Sequence, residues 1–388
     1  MINFIAKHWI PDYRKYQDKR VRQQYGILCG IVGIFLNILL FAGKLFVGGL
    51  SHSIAIMADA FNNLSDAGSS LILLFGFRLA GQKPDPEHPF GHGRLEYVAG
   101  LIVSMIIMVM AVELMRSSGQ KILHPEEVIW HTGTLVMLVV SILVKLYMFT
   151  YNRSYGKKIA SAAMGATALD SISDAVATFV VLISTVVSHF TGLQIDGVCG
   201  MLVGIFIMYA GISAARDTIN PLLGQPADEE LVAKIRELVM ENMFCHGMHD
   251  LIIHSYGPGN LIGSVHVEVD CHENIMEIHD AIDELERNIY DELQVHMTIH
   301  MDPIDYNDEK TNVCRDMMAG ILKEIDEGLT MHDFRIVSGP THTNLIFDVL
   351  VPYECKKTEA QIKSEIQQKL AEKQDTYYTV ITFDKGYC

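Results

Sequence analysis

Several features that define whole protein classes are scarce or missing in this chain. Its seven cysteines, Cys29, Cys199, Cys245, Cys271, Cys314, Cys355 and Cys388, are odd in number and include no Cys-x-x-Cys pair. That excludes a disulfide framework and points to reduced thiols in a cytosolic or membrane setting. Basic charge is short: 30 Lys and Arg stand against 46 Asp and Glu, for a net charge of −16. So acidic a chain is a poor partner for nucleic acid. No cleaved signal peptide is expected either. Residues 1–24 carry six Lys or Arg among Trp9, Tyr13 and Tyr16, with no small-residue cleavage site. This composition reads as a basic cytoplasmic segment lying at a membrane interface.

What the chain does have is apolar sequence, unevenly spread. It is 49% hydrophobic with a mean hydropathy of +0.22. Residues 1–224 hold 17 Lys and Arg and 14 Asp and Glu, and the remainder holds 13 and 32. An apolar, slightly basic half followed by a strongly acidic one reads as a membrane domain with a soluble domain behind it. Runs long enough to span a bilayer, about 20 residues, fall near 26–48, 53–77, 95–117, 132–152, 161–190 and 196–216. The membrane domain is thus expected over 25–220. Lys and Arg concentrate in the N-terminal segment, in the second-to-third loop (Arg78, Lys83, Arg94) and in the fourth-to-fifth loop (Arg153, Lys157, Lys158). The positive-inside rule then places both termini in the cytoplasm.

Polar residues interrupt two of these runs. Asn62 and Asp66 lie in the second, and Asp170 and Asp174 in the fifth. Each pair has i, i+4 spacing and so projects from one helix face. Each lies 9 and 13 residues from its entry end, counted from Ser53 and Ser161. At a rise of about 1.5 Å per residue that is about 14–20 Å, near the midplane. Two antiparallel helices therefore bring four oxygen donors to one level, enough to hold a hard divalent cation. For either pair alone there are plainer readings. An Asn can be a helix–helix hydrogen bond, and an Asp can pair with Lys44 or Lys145. Asp59, one turn outward of Asn62, is open between a vestibule ligand and a buried hydrogen-bonding role.

After Pro221 the periodicity changes. A helix over 228–243, strands over 248–256 and 261–270 around a Gly257-Pro258-Gly259-Asn260 turn, a helix over 274–292 and a strand over 293–301 make an αββαβ, ferredoxin-like α+β domain. The order recurs over 311–384 at an offset near 82 residues: His332-Asp333 echoes His249-Asp250, Gly339-Pro340 echoes Gly257-Pro258, and Asp384 echoes Asp302. The expected domains are 225–303 and a repeat over 308–388. The first copy carries His249, His266, His279, His300 and Asp302, a set suited to borderline metals. The second reads His332, Asp348, Gln361, Thr382 and Asp384 there. It is expected to lack most of the ligands and to be structural or interactive. A third cluster, Asp85, His88 and His92, lies in the second-to-third loop. It can fold onto one ion, or be a polar turn capped by Asp85. No nucleophile motif stands beside it, so a metalloenzyme is not favoured.

Together these residues resemble the cation diffusion facilitator family of divalent-metal/proton antiporters. The resemblance covers residues from about 20 to 303. It rests on His52-Ser53 with Ala58-Asp59-Ala60-Phe61-Asn62-Asn63-Leu64-Ser65-Asp66, on Phe90-Gly91-His92-Gly93-Arg94-Leu95-Glu96, on the fifth-span Asp pair, and on Ile299-His300-Met301-Asp302-Pro303. It implies a homodimer of six-span subunits in the cytoplasmic membrane, in contact with lipid, exchanging cytoplasmic metal for protons. The transport site falls on Asn62, Asp66, Asp170 and Asp174; the loop site on Asp85, His88 and His92; the cytoplasmic-domain site on His249, His266, His279, His300 and Asp302. Arg94 and Asp217 resemble a structural charge pair. Zinc-type members place His at the position of Asp170; here every central donor is oxygen. That favours Mn2+, with Fe2+ second, as substrate. A Zn2+ or Co2+ exporter of the same family is the alternative, and a membrane-anchored metal sensor is a rival from another class.

Overall fold

A computed structural model describes residues 2–51, 54–124, 132–191, 195–339, 341–373 and 377–385. His52, Ser53, Pro340 and Cys388, named above, lie outside them, as does the side chain of Asp59. The chain divides into two units. One is Met1–Gln225 with Ser255–Asn260; the other is Pro226–His254 with Leu261–Cys388.

The first unit is helical. A short helix α1 (Ile2–Trp9) precedes six long ones: α2 (Lys19–Ser51), α3 (Ile54–Ala80), α4 (Leu95–Leu123), α5 (Thr132–Lys158), α6 (Ala162–Thr191) and α7 (Asp196–Leu223). Among the described residues, α2, α4, α5, α6 and α7 are long and apolar enough to cross a membrane. The apolar runs fix where the helices lie, but the helices overrun them. α2 starts at Lys19 and α5 continues to Lys158, because charged ends stay helical once they leave the apolar layer. The basic N-terminal segment is not solely a surface strip. Ile2, Ala6 and Ile10 are buried in one cluster with Tyr25, Tyr151, Tyr155 and Met164, so the apolar face of α1 packs inward while its basic residues point out. α7 ends where Pro221 withholds a backbone N–H and Gly224 turns the chain at φ 97°.

A buried ion pair ties the helix ends of this unit together. Arg22 on α2 makes a two-pronged ion pair with Glu96 on α4, at 2.7 and 2.9 Å, and also donates to the carbonyls of Ile159 and Ala160. Both side chains are buried. A fork-on-fork pair of this kind is satisfied only in one relative setting of the helices.

The second unit contains α8 (Glu229–Glu241), β1 (Gly247–Ser255), β2 (Leu261–Asp270), α9 (Ile275–Leu293) and β3 (Val295–Ile304), then α10 (Glu309–Ile325), β4 (Thr330–Ser338), β5 (Thr343–Leu350), α11 (Glu359–Ala371) and β6 (Tyr377–Asp384). Two three-stranded sheets result, ordered β1-β2-β3 and β4-β5-β6. Alternation builds them: Val265, Val267 and Val269 face the core formed with Ile278, Ile282 and Ile289, while His266 and Glu268 point away from it. The parallel registers correspond residue for residue. His266 pairs with His300 and Glu268 with Asp302 in the first sheet. Asp348 pairs with Thr382 and Leu350 with Asp384 in the second. Each pair is displaced by the same 82 positions. Asn274 precedes α9 and Thr358 precedes α11, and the side chain of each caps its helix.

Candidate metal centres

The four oxygen-bearing residues of the apolar runs line one cavity of about 530 Å3 between the helices of the first unit. Helix periodicity explains why: residues four apart on α3 and on α6 face the same side, and the two helices turn these sides to a common space. Asp66 is buried, and Asp170 and Asp174 are partly so. Two lysines, Lys44 and Lys145, line the same cavity. Lys145 on α5 places its Nζ 2.6 Å from Asp66 Oδ2 and 2.6 Å from Asp174 Oδ2. Asn63 Nδ2 donates to the same Asp66 oxygen at 3.3 Å. The pairing weighed for a single Asp therefore holds for one carboxylate from each pair. Among the described residues, the Asn62 amide and the Asp170 carboxylate carry no hydrogen bond. The arrangement is a cluster of carboxylate oxygens whose central position is held by an ammonium group.

The loop before α4 folds as its sequence suggests. Asp85 Oδ1 accepts from the backbone N–H groups of Glu87 and His88, at 3.0 and 2.7 Å. These bonds, that of His88 first, hold the Asp85 carboxyl below its ordinary range. His88 Nδ1 stands 3.5 Å and His92 Nε2 3.4 Å from the Asp85 carboxylate. The donor atoms of all three lie within 4.8 Å of one another. The capped turn thus gathers the three side chains, and among the described residues His92 Nδ1 is buried without a hydrogen bond.

In the second unit, Asp302 gathers imidazoles. His266 Nδ1 is 2.9 Å from Asp302 Oδ2, His249 Nε2 is 3.3 Å from it, and His300 Nε2 is 3.3 Å from Oδ1. The strand register supplies this, since His266 and His300 are cross-strand neighbours with ring centroids 4.6 Å apart. Burial opposes a charged ring at His249, but the Asp250 and Asp302 carboxylates outweigh it and raise it to about 9. Burial also opposes charge at Asp302, and its His249 and His266 neighbours overcome that and lower it. His279 does not join this group. It lies exposed on α9, 4.0 Å from Asp283, because its helix covers the opposite face of the sheet. Two residues not counted for this copy do join. Asp250 Oδ2 is 3.4 Å from His249 Nδ1 and 3.2 Å from His332 Nε2 of the second copy. The His249 and His332 rings are 4.7 Å apart. Asp250 sits at φ 51° and Asp333, its counterpart, at φ 50°.

Residues 30–223 match the family of cation efflux transmembrane domains, and residues 227–304 match the cytoplasmic domain of cation efflux proteins. The chain belongs to the cation diffusion facilitator family. It is 29% identical over 284 residues to the manganese efflux system protein MneS of Bacillus subtilis, covering 71% of this chain and 94% of that protein. It is 24% identical over 275 residues to the manganese efflux system protein MneP of the same organism, covering 69% and 92%. The cation-efflux pump FieF of Pectobacterium atrosepticum is 26% identical over 278 residues, covering 71% and 92%. As a cation diffusion facilitator, the protein is a multi-pass membrane transporter of divalent cations and not a catalyst of covalent chemistry. The helices α10 and α11 and the second sheet lie beyond the matched cytoplasmic domain, which ends at residue 304.

One expected contact is replaced. Among the described residues no ion pair joins Arg94 to Asp217. Arg94 instead donates to the Ser255 carbonyl at 2.9 and 3.1 Å and lies over the Tyr256 ring, 4.6 Å from its centroid. Asp217 is exposed. Gly93 permits the Arg94 contact, since a Cβ there meets the Tyr256 carbonyl at 2.7 Å. The buried charge pair of this region is Arg22–Glu96. In the sequence Arg22 is one basic residue among the six of the N-terminal segment. The one signal that could have found it is Glu96, an acidic residue at the start of an apolar run.

Proposed function

We propose that the protein exports Mn2+, with Fe2+ second, from the cytoplasm in exchange for protons. The transport site consists of Asn62, Asp66, Asp170 and Asp174. We count α3 as a sixth span, place both termini in the cytoplasm of the cell membrane, and take the active form to be a homodimer whose 225–303 domain, the part matched as the family's cytoplasmic domain, forms the junction. The observation that carries the reading is the shared cavity: oxygen donors from α3 and α6 line one space, and two of them, Asp66 and Asp174, already hold an ammonium group. None of its donors is nitrogen. An all-oxygen set favours Mn2+, which sits low in the Irving–Williams order and accepts six oxygens, over Zn2+, which gains from imidazole. The naming of MneS and MneP as manganese efflux proteins agrees with this choice.

In the cycle we propose, a cytoplasmic Mn2+ enters the cavity and displaces the Lys145 ammonium from Asp66 and Asp174. Asp170 and Asn62, not engaged by Lys145, offer the first oxygens. On the outward side protons return to the carboxylates, the metal leaves, and Lys145 restores the charge balance of the empty site. Asp85, His88 and His92 form a second binding point in the loop. His249, His266, His300 and Asp302 sense metal in the cytoplasmic domain; His279 is the weakest member of that set, being remote from Asp302 within one chain. The deciding experiment is flux into proteoliposomes with Mn2+ competed by Zn2+, Fe2+ and Co2+. Mn2+ flux driven by a pH gradient, resisted only weakly by Zn2+, is the expected result. Flux that Zn2+ abolishes at equal concentration, or that ignores the pH gradient, would overturn the manganese choice or the antiport respectively.

A further inference from the structure

By its sequence the second αββαβ set is expected to lack most of the ligands, since His266, His279 and His300 are matched there by Asp348, Gln361 and Thr382. The sheet registers say something more specific. Asp348 sits beside Thr382 as His266 sits beside His300, and Asp384 sits opposite Leu350 as Asp302 sits opposite Glu268. On the adjoining antiparallel strand His332 is the register partner of Asp348. The positions that gather His249, His266 and Asp302 in the first set therefore gather His332, Asp348 and Asp384 in the second. One donor atom from each of these three lies within 4.8 Å of the other two. His332 Nε2 is 3.6 Å from Asp384 Oδ2 and 3.2 Å from Asp250 Oδ2 of the first set.

We propose that His332, Asp348 and Asp384, completed by Asp250, form a separate divalent-cation site of oxygen-rich, Mn2+-preferring type.

Three further observations support it. Among the described residues, His332 Nε2 and His249 Nε2 are buried without a hydrogen bond of acceptable geometry, although carboxylates stand close by. Such nitrogens are costly unless something else engages them. A cavity of about 380 Å3 opens onto His249, Asp250 and His332, which gives an ion an approach to the His332–Asp250 side of the cluster. The cavity wall also includes Arg236 and Lys385, which limit the negative charge the approach presents. Finally, Asp250 holds a left-handed backbone that costs a non-glycine residue energy and recurs at functional positions. Its carboxylate lies between the two imidazoles and so reaches from one set to the other.

The ligand chemistry separates the two sites. The first set offers three imidazoles and one carboxylate, which suits Zn2+ or Co2+. The second offers one imidazole and three carboxylates, which suits a harder ion. The substitution pattern is then a change of metal type and not a loss. The proposal does not depend on the transport reading, because none of its residues touches the membrane cavity.

The test counts bound Mn2+ per full-length chain in detergent, by electron paramagnetic resonance of the free ion against total manganese. Asp348→Asn and Asp384→Asn are each expected to bind one fewer Mn2+ per chain than the parent protein. The lost signal should carry coupling to a single imidazole nitrogen, which His332→Gln removes. An unchanged count in both variants would overturn the site and leave these residues as ion pairs only. Should either variant misfold, Asp348→His gives an independent reading. It restores the ligand type of the first set and should raise Zn2+ competition for this Mn2+ at least tenfold. Unaltered competition in that variant would equally overturn the proposal.

Discussion

Lys145 alters what a metal ion must do to enter the membrane cavity. Its ammonium stands 2.6 Å from both Asp66 and Asp174, so in the proposed cycle Mn2+ binding is an exchange of one positive group for another. Removing either carboxylate removes a charged donor and also leaves Lys145 with half its partners. Asp66→Ala and Asp174→Ala are therefore expected to abolish Mn2+ flux in proteoliposomes while the protein still purifies as a folded dimer; flux within twofold of the parent would end the central-site assignment. Lys145→Met tests the exchange itself. It frees the carboxylates for the metal, so Mn2+ should bind more tightly and leave more slowly, lowering both the half-saturating Mn2+ concentration and the maximal flux. If neither quantity moved, Lys145 would be a structural partner only. Selectivity belongs to this scale too. Asp170→His introduces an imidazole, lowers the negative charge of the site and favours four-coordinate geometry. Together with Asn62→Asp it should increase Zn2+ competition, reduce Mn2+ flux and bring the pH dependence toward the imidazole range near pH 6.5. An unchanged metal preference in the double variant would remove the main support for manganese.

At the scale of elements, the long helices and the two αββαβ sets could be read from periodicity, because a bilayer demands long apolar runs and a half-covered sheet demands alternation. The i, i+4 spacing of Asn62 with Asp66 and of Asp170 with Asp174 likewise fixed one face on each helix. What spacing does not contain is the rotation of a third helix. α5 could present Lys145 to lipid, to another helix or to the cavity, and only packing decides among these. The same limit hid the partners of Arg94 and Arg22, which are set by how loops and helix ends dock. It also hid the approach of Asp250 to His332, since a repeat in sequence does not say how its two copies pack. The Arg22–Glu96 pair lends itself to a direct measurement. It joins α2 to α4 and to the carbonyls that close α5 and precede α6. Breaking a buried pair by removing one partner strands the other charge, at a cost of about 3–5 kcal/mol. Arg22→Met should thus lower the thermal midpoint of the purified protein sharply. Arg22→Met combined with Glu96→Leu should recover most of the loss, because no charge is then left unpaired. A double variant no better than the single one would mean that the bonds to Ile159 and Ala160, and not the ion pair, dominate the contact.

For the molecule as a whole, the question is what the second αββαβ set adds. The family-matched regions end at residue 304, and the membrane cavity, the loop cluster and the Asp302 cluster all lie before it. Nothing in the proposed transport cycle draws on a later residue. A chain ending at 304 should therefore still export Mn2+, with the transport site unaltered in affinity. One change is nevertheless expected. His249 and Asp250 lose their neighbour His332, so the metal affinity of the cytoplasmic domain should fall. Flux measured against cytoplasmic-side Mn2+ concentration separates the possibilities. Equal maximal flux with a displaced activation threshold makes the second set a regulator that tunes when transport begins. Complete loss of flux from a truncated chain that remains folded and dimeric would show the opposite: that the transport cycle itself runs through contacts made by residues 308–388, and that the family-matched region is not sufficient in this protein.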